Sequence, residues 1–433
     1  TINLLKMLKR KVSPPTKALE LKKIKEPEII PLDNGIEVAF FNLGSQDLIH
    51  VELIFDNGLT QSSNIIIPTA VSELFGTASS SFGSGEIAEK LDFYGAFLET
   101  SINKDIASIS IYSLTEHIDD VLNILFDALF NLVYPQNDID IFLSNSLQKL
   151  KSELEKVEYV CLKTFNQYLF KDHLYGDVIS FSDFENISSK QLQLYFKSFY
   201  NPEDVSVVVS GKFDNSSLYN SLNNHLGLWK GGSVKKNIPS IDKSEIFKLF
   251  VTKTNALQSA IRIGKIVPVK YGSVDYFKLK LLNTILGGYF GSRLMSNLRE
   301  EKGLTYGINS SFINYDAASF VVISTTVKGE STSIAVKEIY SEIDRLSNQL
   351  VDNEELILVK NYISGSLMRT VDGPFLIAEQ YKLLSHKGEK LAYLEKFNAV
   401  IQEITSDDLL QCAVKYFSVD SFSEVVVGPK SNN

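Results

Sequence analysis

Two pairs of similar segments lie the same distance apart in this chain. Residues 187–192 resemble residues 404–409, and the strand-like residues 207–211 resemble residues 424–428. The offset is 217 residues in both pairs (187 to 404, and 211 to 428). A register shared by a predicted helix and a predicted strand indicates that one structural unit occurs twice. The chain is therefore expected to fold as two related halves.

Hydrophobic periodicity predicts matching elements in the two halves. In the first half, a strand with one buried face is formed by Ile49, Val51, Leu53 and Phe55, alternating with His50, Glu52 and Ile54. After a further strand at 107–111 comes an amphipathic helix whose apolar stripe is Ile118, Val121, Leu122, Leu125 and Leu129. The second half repeats this plan with a strand at 320–327 and a helix whose stripe is Val336, Ile339, Tyr340, Ile343, Leu346 and Leu350.

These patterns predict an α+β fold of two homologous α/β sandwich domains, each with an antiparallel-rich sheet and helices, related by internal duplication. The Lys-rich residues 1–27 are predicted to form an extended tail, with order beginning near Ile29. The first domain then spans residues 28–229. Gly, Ser and Lys residues predict an exposed linker at 230–243, and the second domain spans 244–433.

Composition excludes several classes of function. The net charge of −9 over 433 residues argues against a nucleic-acid surface, which needs clustered Lys and Arg. No apolar run reaches the roughly 7–15 residues of a signal-peptide core or the roughly 18 of a membrane helix. The two cysteines, Cys161 and Cys412, imply no disulfide framework. A cytoplasmic location is expected, and a periplasmic or organellar one stays open if a leader has been removed.

The histidines do not form a zinc-ligand pattern. A hydrolytic zinc site usually takes two His at i and i+4 of one helix, with a Glu base beside them. The five histidines are too widely spaced for this arrangement: His50, His117, His173, His225 and His386. The Ser-rich loop at 79–84 lacks the Lys of a phosphate-binding loop, and Ser72 and Ser292 have no adjacent His for a serine hydrolase.

Residues 68–77 nevertheless resemble a helix of the insulinase/pitrilysin-type peptidases, the inverzincins, to which the mitochondrial processing peptidase is similar. That helix carries H-x-x-E-H followed by Leu-Phe and Gly-Thr. Here the Leu-Phe-Gly-Thr string is present at 74–77, whereas Pro68 and Ser72 stand where the histidines belong and Val71 where the base belongs. Glu73 cannot form such a site alone. Glu153 falls near the distal glutamate ligand of the family and is expected to be a solvated helix residue.

A second resemblance to this family lies at residues 287–306, where an Arg precedes a Tyr by seven residues across a Gly-Leu. These two residues are Arg299 and Tyr306. Locally, Ser292 is predicted to be a helix N-cap, and Leu294 and Leu298 to make an apolar contact one turn apart. Gly303 is predicted to close the helix in the left-handed conformation, with Leu304 packing behind it. Arg299 then lies in the last turn and Tyr306 opens a strand.

The resemblance, which covers residues 28 to 430, implies a zinc-free subunit forming half of a clam-shell chamber. No residue would be catalytic in this chain alone, and it would bind no cofactor. Arg299 and Tyr306 would bind substrate, and a homologous zinc-binding peptidase subunit would supply the metal for cleavage of unfolded or extended peptides. Neither nucleic acid nor membrane is an expected partner. Two alternatives stay open: a structural scaffold, and a stand-alone peptide-binding protein.

Overall fold

The computed structural model describes residues 23–232, 238–241 and 243–430, and its first half contains one six-stranded sheet. The strands are β1 (Glu28–Pro31), β2 (Glu37–Asn42), β3 (Leu48–Phe55), β4 (Phe97–Ile102), β5 (Ala107–Leu114) and β6 (Val205–Gly211). The helices are α1 (Ile66–Glu73), α2 (Glu86–Phe93), α3 (Ile118–Phe130), α4 (Gln136–Leu154), α5 (Val157–Phe170), α6 (Ser189–Phe199) and α7 (Asn215–Leu226). The predicted stripe of the first amphipathic helix is buried in α3.

The second half contains a five-stranded sheet. Its strands are β7 (Lys248–Thr252), β8 (Gln258–Ile266), β9 (Ile308–Asn314), β10 (Ser319–Lys328) and β11 (Ser423–Gly428). Its helices are α8 (Val274–Asn283), α9 (Thr332–Asn348), α10 (Asn353–Arg369), α11 (Pro374–His386), α12 (Ala392–Glu403) and α13 (Ser406–Tyr416). Two π-helical segments, Thr284–Gly288 and Met295–Glu301, lie between α8 and β9.

The two sheets have the same topology. The first runs β1-β2-β6-β3-β5-β4 and the second runs β7-β11-β8-β10-β9, which is the same order without β1. In each sheet one matching pair is parallel, β2 with β6 and β7 with β11. Helices α4 and α10, α5 and α11, and α6 and α13 begin 217 residues apart. The α+β fold with an internal duplication is therefore confirmed.

One helix of each half packs on the sheet of the other half. Helix α5 of the first half covers one face of the second sheet, and a Cβ added at Gly264 would lie 2.9 Å from the Phe165 ring. Helix α11 of the second half packs on the first sheet, where the Tyr381 and Phe41 rings meet edge to face with centroids 5.4 Å apart. Consequently, residues from both halves of the sequence contribute to the same hydrophobic core.

Strand β3 is buried on both faces, so the prediction of one buried face was wrong. His50 and Glu52, on the face expected to be exposed, are 7% and 5% exposed. Helix α11 covers this face with residues such as Lys382, which lies 330 positions after Glu52. Periodicity within β3 cannot reveal a covering helix that distant.

Other differences concern the ends of elements. Residues 1–22 and 233–237 lie outside the described residues, and with them most of the predicted tail and part of the predicted linker. Order begins before Ile29, because Ile24 is 8% exposed and its N–H donates to Glu395. Helix α9 ends at Asn348 and leaves Leu350 55% exposed, so Leu350 does not belong to the predicted stripe. No helix in the described ranges is long and apolar enough to cross a membrane.

A buried ion pair joins α11 to the first sheet. The Lys382 ammonium lies 3.0 Å from the Glu52 carboxylate, and the two side chains are 11% and 7% exposed. Burial alone would lower the pKa of Lys382, but Glu52 and Glu379 outweigh it and raise the pKa. His50 beside them has a pKa lowered to about 4, first by burial and then by Lys382, and is therefore neutral.

A polar cluster joins the β4–β5 and β9–β10 turns, and we call its five residues the interhalf cluster: Asp56, Asp105, Tyr175, Asp316 and His386. The Asp316 N–H donates to Asp105 at 3.0 Å, and the Tyr175 hydroxyl donates to Asp105 at 2.5 Å. The His386 ring reaches Asp56 at 3.0 Å and Asp316 at 2.9 Å. Burial disfavours the charged imidazole, but these hydrogen bonds outweigh it and raise the pKa of His386 to about 9.

Lys382→Met should destabilise the protein by about 3–5 kcal/mol, because it leaves the Glu52 charge buried without a partner. The double variant Glu52→Gln with Lys382→Met should recover much of that loss, since no charge is then left uncompensated. Urea unfolding measures both effects. A single variant within about 0.5 kcal/mol of the wild type, as for an ordinary surface substitution, would contradict this role of the pair.

His386→Gln should destabilise the protein in a pH-dependent way. Because the folded-state pKa of His386 is raised, its stabilisation is complete below the unfolded value of about 6.5 and is lost as pH rises through about 9. At pH 6 the difference from wild type should be about 1.5–3 kcal/mol, the usual range for a hydrogen bond to a charged group. It should shrink above pH 9. Unfolding midpoints across this range, with His117→Gln as the control, test the expectation; a constant difference would refute it.

Candidate functional site

Helix α1 contains the residues that resemble the metal-binding helix of the family, and the positions matched to its ligands hold Pro68, Val71 and Ser72. Pro68, Val71 and Ser72 are all buried. The Val71 carbonyl accepts a hydrogen bond from Tyr134 at 3.2 Å, and the Ser72 carbonyl accepts one from Thr100 at 2.8 Å. These contacts fix the helix in the core as a packing element.

The remaining acids and histidines do not replace those ligands. Glu153 lies in α4 and pairs with Lys156 at 2.7 Å, as expected of a solvated helix residue. The histidines are dispersed: for example, His225 stacks on Phe126, and His173 accepts from the Tyr175 N–H. Within the described ranges, no group of three or more His, Cys, Asp or Glu side chains is placed to hold a metal ion.

The Ser-rich loop at 79–84 is held by carboxylates. Ser79 and Ser81 donate hydrogen bonds to Asp127 at 2.5 and 2.7 Å, and Ser84 donates to Asp138 at 2.6 Å. A phosphate would meet these negative charges, so the loop is a structural connection.

The helix that carries Arg299 begins after Ser292 and ends at Gly303, as predicted. Gly303 has φ +60°, and the Leu304 N–H donates to the Leu298 carbonyl at 2.8 Å, which closes the helix in the left-handed manner. Ser292 directly precedes the first helical residue and its carbonyl accepts from the Ser296 N–H at 2.9 Å, as predicted for an N-cap. Its buried hydroxyl, however, has no hydrogen-bond partner among the described residues and so makes no capping bond. The segment Met295–Glu301 is π-helical, a form often found at functional sites.

Sequence reasoning missed the contact that fixes the start of this helix. Arg293 is buried and makes two hydrogen bonds to Glu355 of α10, from Nε at 2.9 Å and from Nη2 at 2.7 Å. This bidentate pair ties the helix start to α10. An Arg next to the predicted N-cap could have indicated an ion pair at the helix start. Its partner Glu355 could not be identified from the sequence, because it lies 62 residues later.

Arg299 is half-buried in the last turn of this helix. Its guanidinium lies over the ring of Phe290, with Cζ 4.8 Å from the ring centroid. Phe290 is itself 62% exposed. The stacking orients Arg299 at the surface.

Tyr306 lies on a rigid turn and is itself almost wholly exposed, at 94%. The Thr305 hydroxyl donates to the Thr326 carbonyl at 2.8 Å, and the Thr325 hydroxyl donates to the Gly307 carbonyl at 2.9 Å. These bonds fix the backbone on both sides of Tyr306. Strand β9 begins at Ile308, so Tyr306 precedes this strand and does not open it.

Tyr306 borders a cavity of about 440 Å³ between α5 and the second sheet, and Arg299 is not among the residues that line it. The structure places a different arginine, Arg262 of β8, in the wall of this cavity. The sequence signal for Arg262 was a charge between two isoleucines of β8, which also carries Lys265. It was missed because only the sheet register shows which residues share its face.

Comparisons with known proteins find similarity to zinc peptidases and to their inactive homologues. Residues 186–363 match the family model described as peptidase M16 inactive domain. An uncharacterized zinc protease of Rickettsia felis is 22% identical over 93% of this chain and 97% of its own length. A non-peptidase homolog of Helicobacter pylori is 21% identical over 73% of this chain and 74% of its own. The chain therefore resembles M16 peptidases of the inactive-domain type, which confirms the resemblance noted in its sequence.

Solved structures support the same fold. The crystal structure of a peptidase M16 inactive domain from Pseudomonas fluorescens superposes with a TM-score of 0.86 at 20% identity, covering 94% of this chain and 98% of that one. The periplasmic protease PqqL of Escherichia coli superposes with a TM-score of 0.78 at 12% identity, covering 97% of this chain and 48% of that one. This chain thus corresponds in fold to about half of the latter protein.

The purified chain should retain no stoichiometric zinc, since Pro68 and Ser72 offer no ligand where the family has histidines. Elemental analysis after dialysis against a weak chelator measures this. An H-x-x-E-H homologue prepared in parallel should keep one zinc and serves as the control. About one tightly held zinc per chain in the present protein would contradict the expectation.

Proposed function

We propose that this chain is the non-catalytic, zinc-free subunit of a heteromeric zinc metallopeptidase that cleaves extended peptides. A homologous subunit with an intact H-x-x-E-H supplies the zinc, its water and the general base. This chain supplies Arg299 and Tyr306, which bind the substrate and stabilise the transition state.

The observation that carries the proposal is the exposure of Tyr306 on a fixed backbone. A tyrosine kept only for packing would bury its ring, whereas this ring is 94% exposed while hydroxyl hydrogen bonds hold the turn around it. A rigid turn that presents an exposed hydroxyl is suited to meet an oxyanion at a fixed position. The match of the surrounding string to the family supports the same role.

A second subunit is proposed because a complete site needs parts that this chain lacks. Helix α1 has no ligand for a metal, and this chain corresponds to 48% of the Escherichia coli protease in the superposition. A separate homologous subunit could form the opposite wall of a chamber. Such a chamber admits unfolded or extended peptides and excludes folded proteins.

Tyr306→Phe should lower the turnover of the reconstituted complex about 100- to 1,000-fold, the usual loss for an oxyanion donor. It removes one hydroxyl from an exposed ring, so folding and assembly should be unchanged. The measurement is steady-state cleavage of a fluorogenic peptide by this chain mixed with an H-x-x-E-H homologue from the same genome. Tyr168→Phe, on an exposed tyrosine of α5, is a matched control and should leave turnover unchanged.

Arg299→Ala should raise KM at least as much as it lowers kcat, because Arg299 is proposed to hold the substrate. Arg299→Lys should restore little, since a point charge does not reproduce the planar guanidinium. Gel filtration verifies that each variant still forms the complex. If Tyr306→Phe and Arg299→Ala both leave the kinetics unchanged in an intact complex, the chain is a scaffold and the proposal fails.

A further inference from the structure

The face of the second sheet beneath helix α5 carries a row of polar side chains. Arg262 of β8 is opposite Ser324 of β10, and Ser324 is opposite Asn309 of β9. All three line the 440 Å³ cavity bordered by Tyr306. The row therefore forms a polar floor in this cavity.

Arg262 has no ionic partner in this cavity. It forms no ion pair or side-chain hydrogen bond with any residue of the described chain, although it is half-buried and burial lowers the pKa of its guanidinium. Burial also raises the pKa of the nearby Cys161 thiol to about 12, so Cys161 stays neutral and offers no countercharge. The one acid of the cavity wall, Glu158, accepts a hydrogen bond from the Thr326 hydroxyl at 3.2 Å.

In the first half, the position equivalent to Arg262 holds a charge that is paired. Glu52 occupies in the first sheet the place that Arg262 occupies in the second: it is opposite Val208, as Arg262 is opposite Val425, 217 residues later. Lys382 of the covering helix α11 pairs with Glu52 at 3.0 Å. At the offset of 217, Lys382 corresponds to Phe165 of α5. The first half thus has the ion pair of Glu52 with Lys382 at this position, whereas Arg262 in the second half has no charged partner among the described residues.

We propose that Arg262 anchors an anion-binding site, in which the cavity beside Tyr306 takes a carboxylate of an extended peptide. This inference rests on the proposed peptide-binding function and names a chemical preference for it. The carboxylate belongs either to an acidic side chain or to the end of the peptide chain.

The chemistry of the cavity fits a carboxylate. A guanidinium presents a planar fork that holds both carboxylate oxygens, and a half-buried site strengthens this interaction relative to water. Ser324 and Asn309 beside it add neutral donors to the floor. Exposed Tyr306 borders the same cavity, so a peptide held at that residue would lie beside the floor.

The test is fluorescence anisotropy of short labelled peptides with the full chain alone, without a partner subunit or zinc. The first peptide has an internal Glu and an amidated end, the second has Gln in place of Glu, and the third has Gln with a free carboxyl end. Arg262→Gln should weaken binding of whichever carboxylate peptide the wild type prefers by about 10- to 100-fold, and binding of the neutral peptide hardly at all. The first and third peptides distinguish the two sources of the carboxylate.

Arg345→Gln is the matched control, because it removes the same charge from the exposed face of α9 and should leave all affinities unchanged. Thermal unfolding of each variant verifies the fold. Equal affinity of the wild type for acidic and neutral peptides, or equal losses in Arg262→Gln and Arg345→Gln, would overturn the site while leaving the proposed function standing. Absence of binding by every peptide would also overturn it. Failure of the proposed function appears separately, as a lack of cleavage in the mixture with the zinc-bearing homologue.

Discussion

The exchange of helices α5 and α11 is the constraint on which the rest of this structure depends. Each sheet has one face covered by helices of its own half and the other by a helix of the opposite half. Removing either half would expose an apolar sheet face to water, at a cost of about 25 cal/mol for each Å². The two halves therefore act as one folded body, and the interhalf cluster and the pair of Glu52 with Lys382 lie where the exchange brings them together.

The two halves share a topology but differ in how their polar side chains are paired. In the first half, these positions make contacts within the chain. Helix α1 is fixed in the core, and Glu52 pairs with Lys382. In the second half Tyr306 lies at the surface, and Arg262 has no ionic partner among the described residues. Duplication makes this contrast informative, because Glu52 and Arg262 occupy equivalent positions in the two sheets. A charge neutralised in one copy and open in the other indicates that the second is available to a ligand.

The sequence revealed features that depend on neighbouring residues or on the repeat itself. The duplication followed from an offset of 217, the stripe of α3 from its spacing, and the end of the Arg299 helix from Gly303. It could not reveal features created by distant contacts. The second face of β3 is covered by a helix 330 residues away, and the environment of Arg262 depends on the register of three strands. Ser292 occupies the predicted N-cap position, but the sequence could not reveal that its buried hydroxyl makes no capping hydrogen bond.

The exchanged helices also set the order in which this protein can mature on the ribosome. Helix α5 is synthesised before any strand of the sheet it covers, and the first sheet is complete at Gly211, long before α11 ends at His386. At about 5–20 residues per second, the roughly 175 residues between these points take on the order of 9–35 s to translate. During that time the Glu52 face of the first sheet has no cover, and the sheet beneath Phe165 stays incomplete until β11 ends at Gly428. The chain is therefore most exposed to aggregation during translation, after the first half has been made and before α11 has been added.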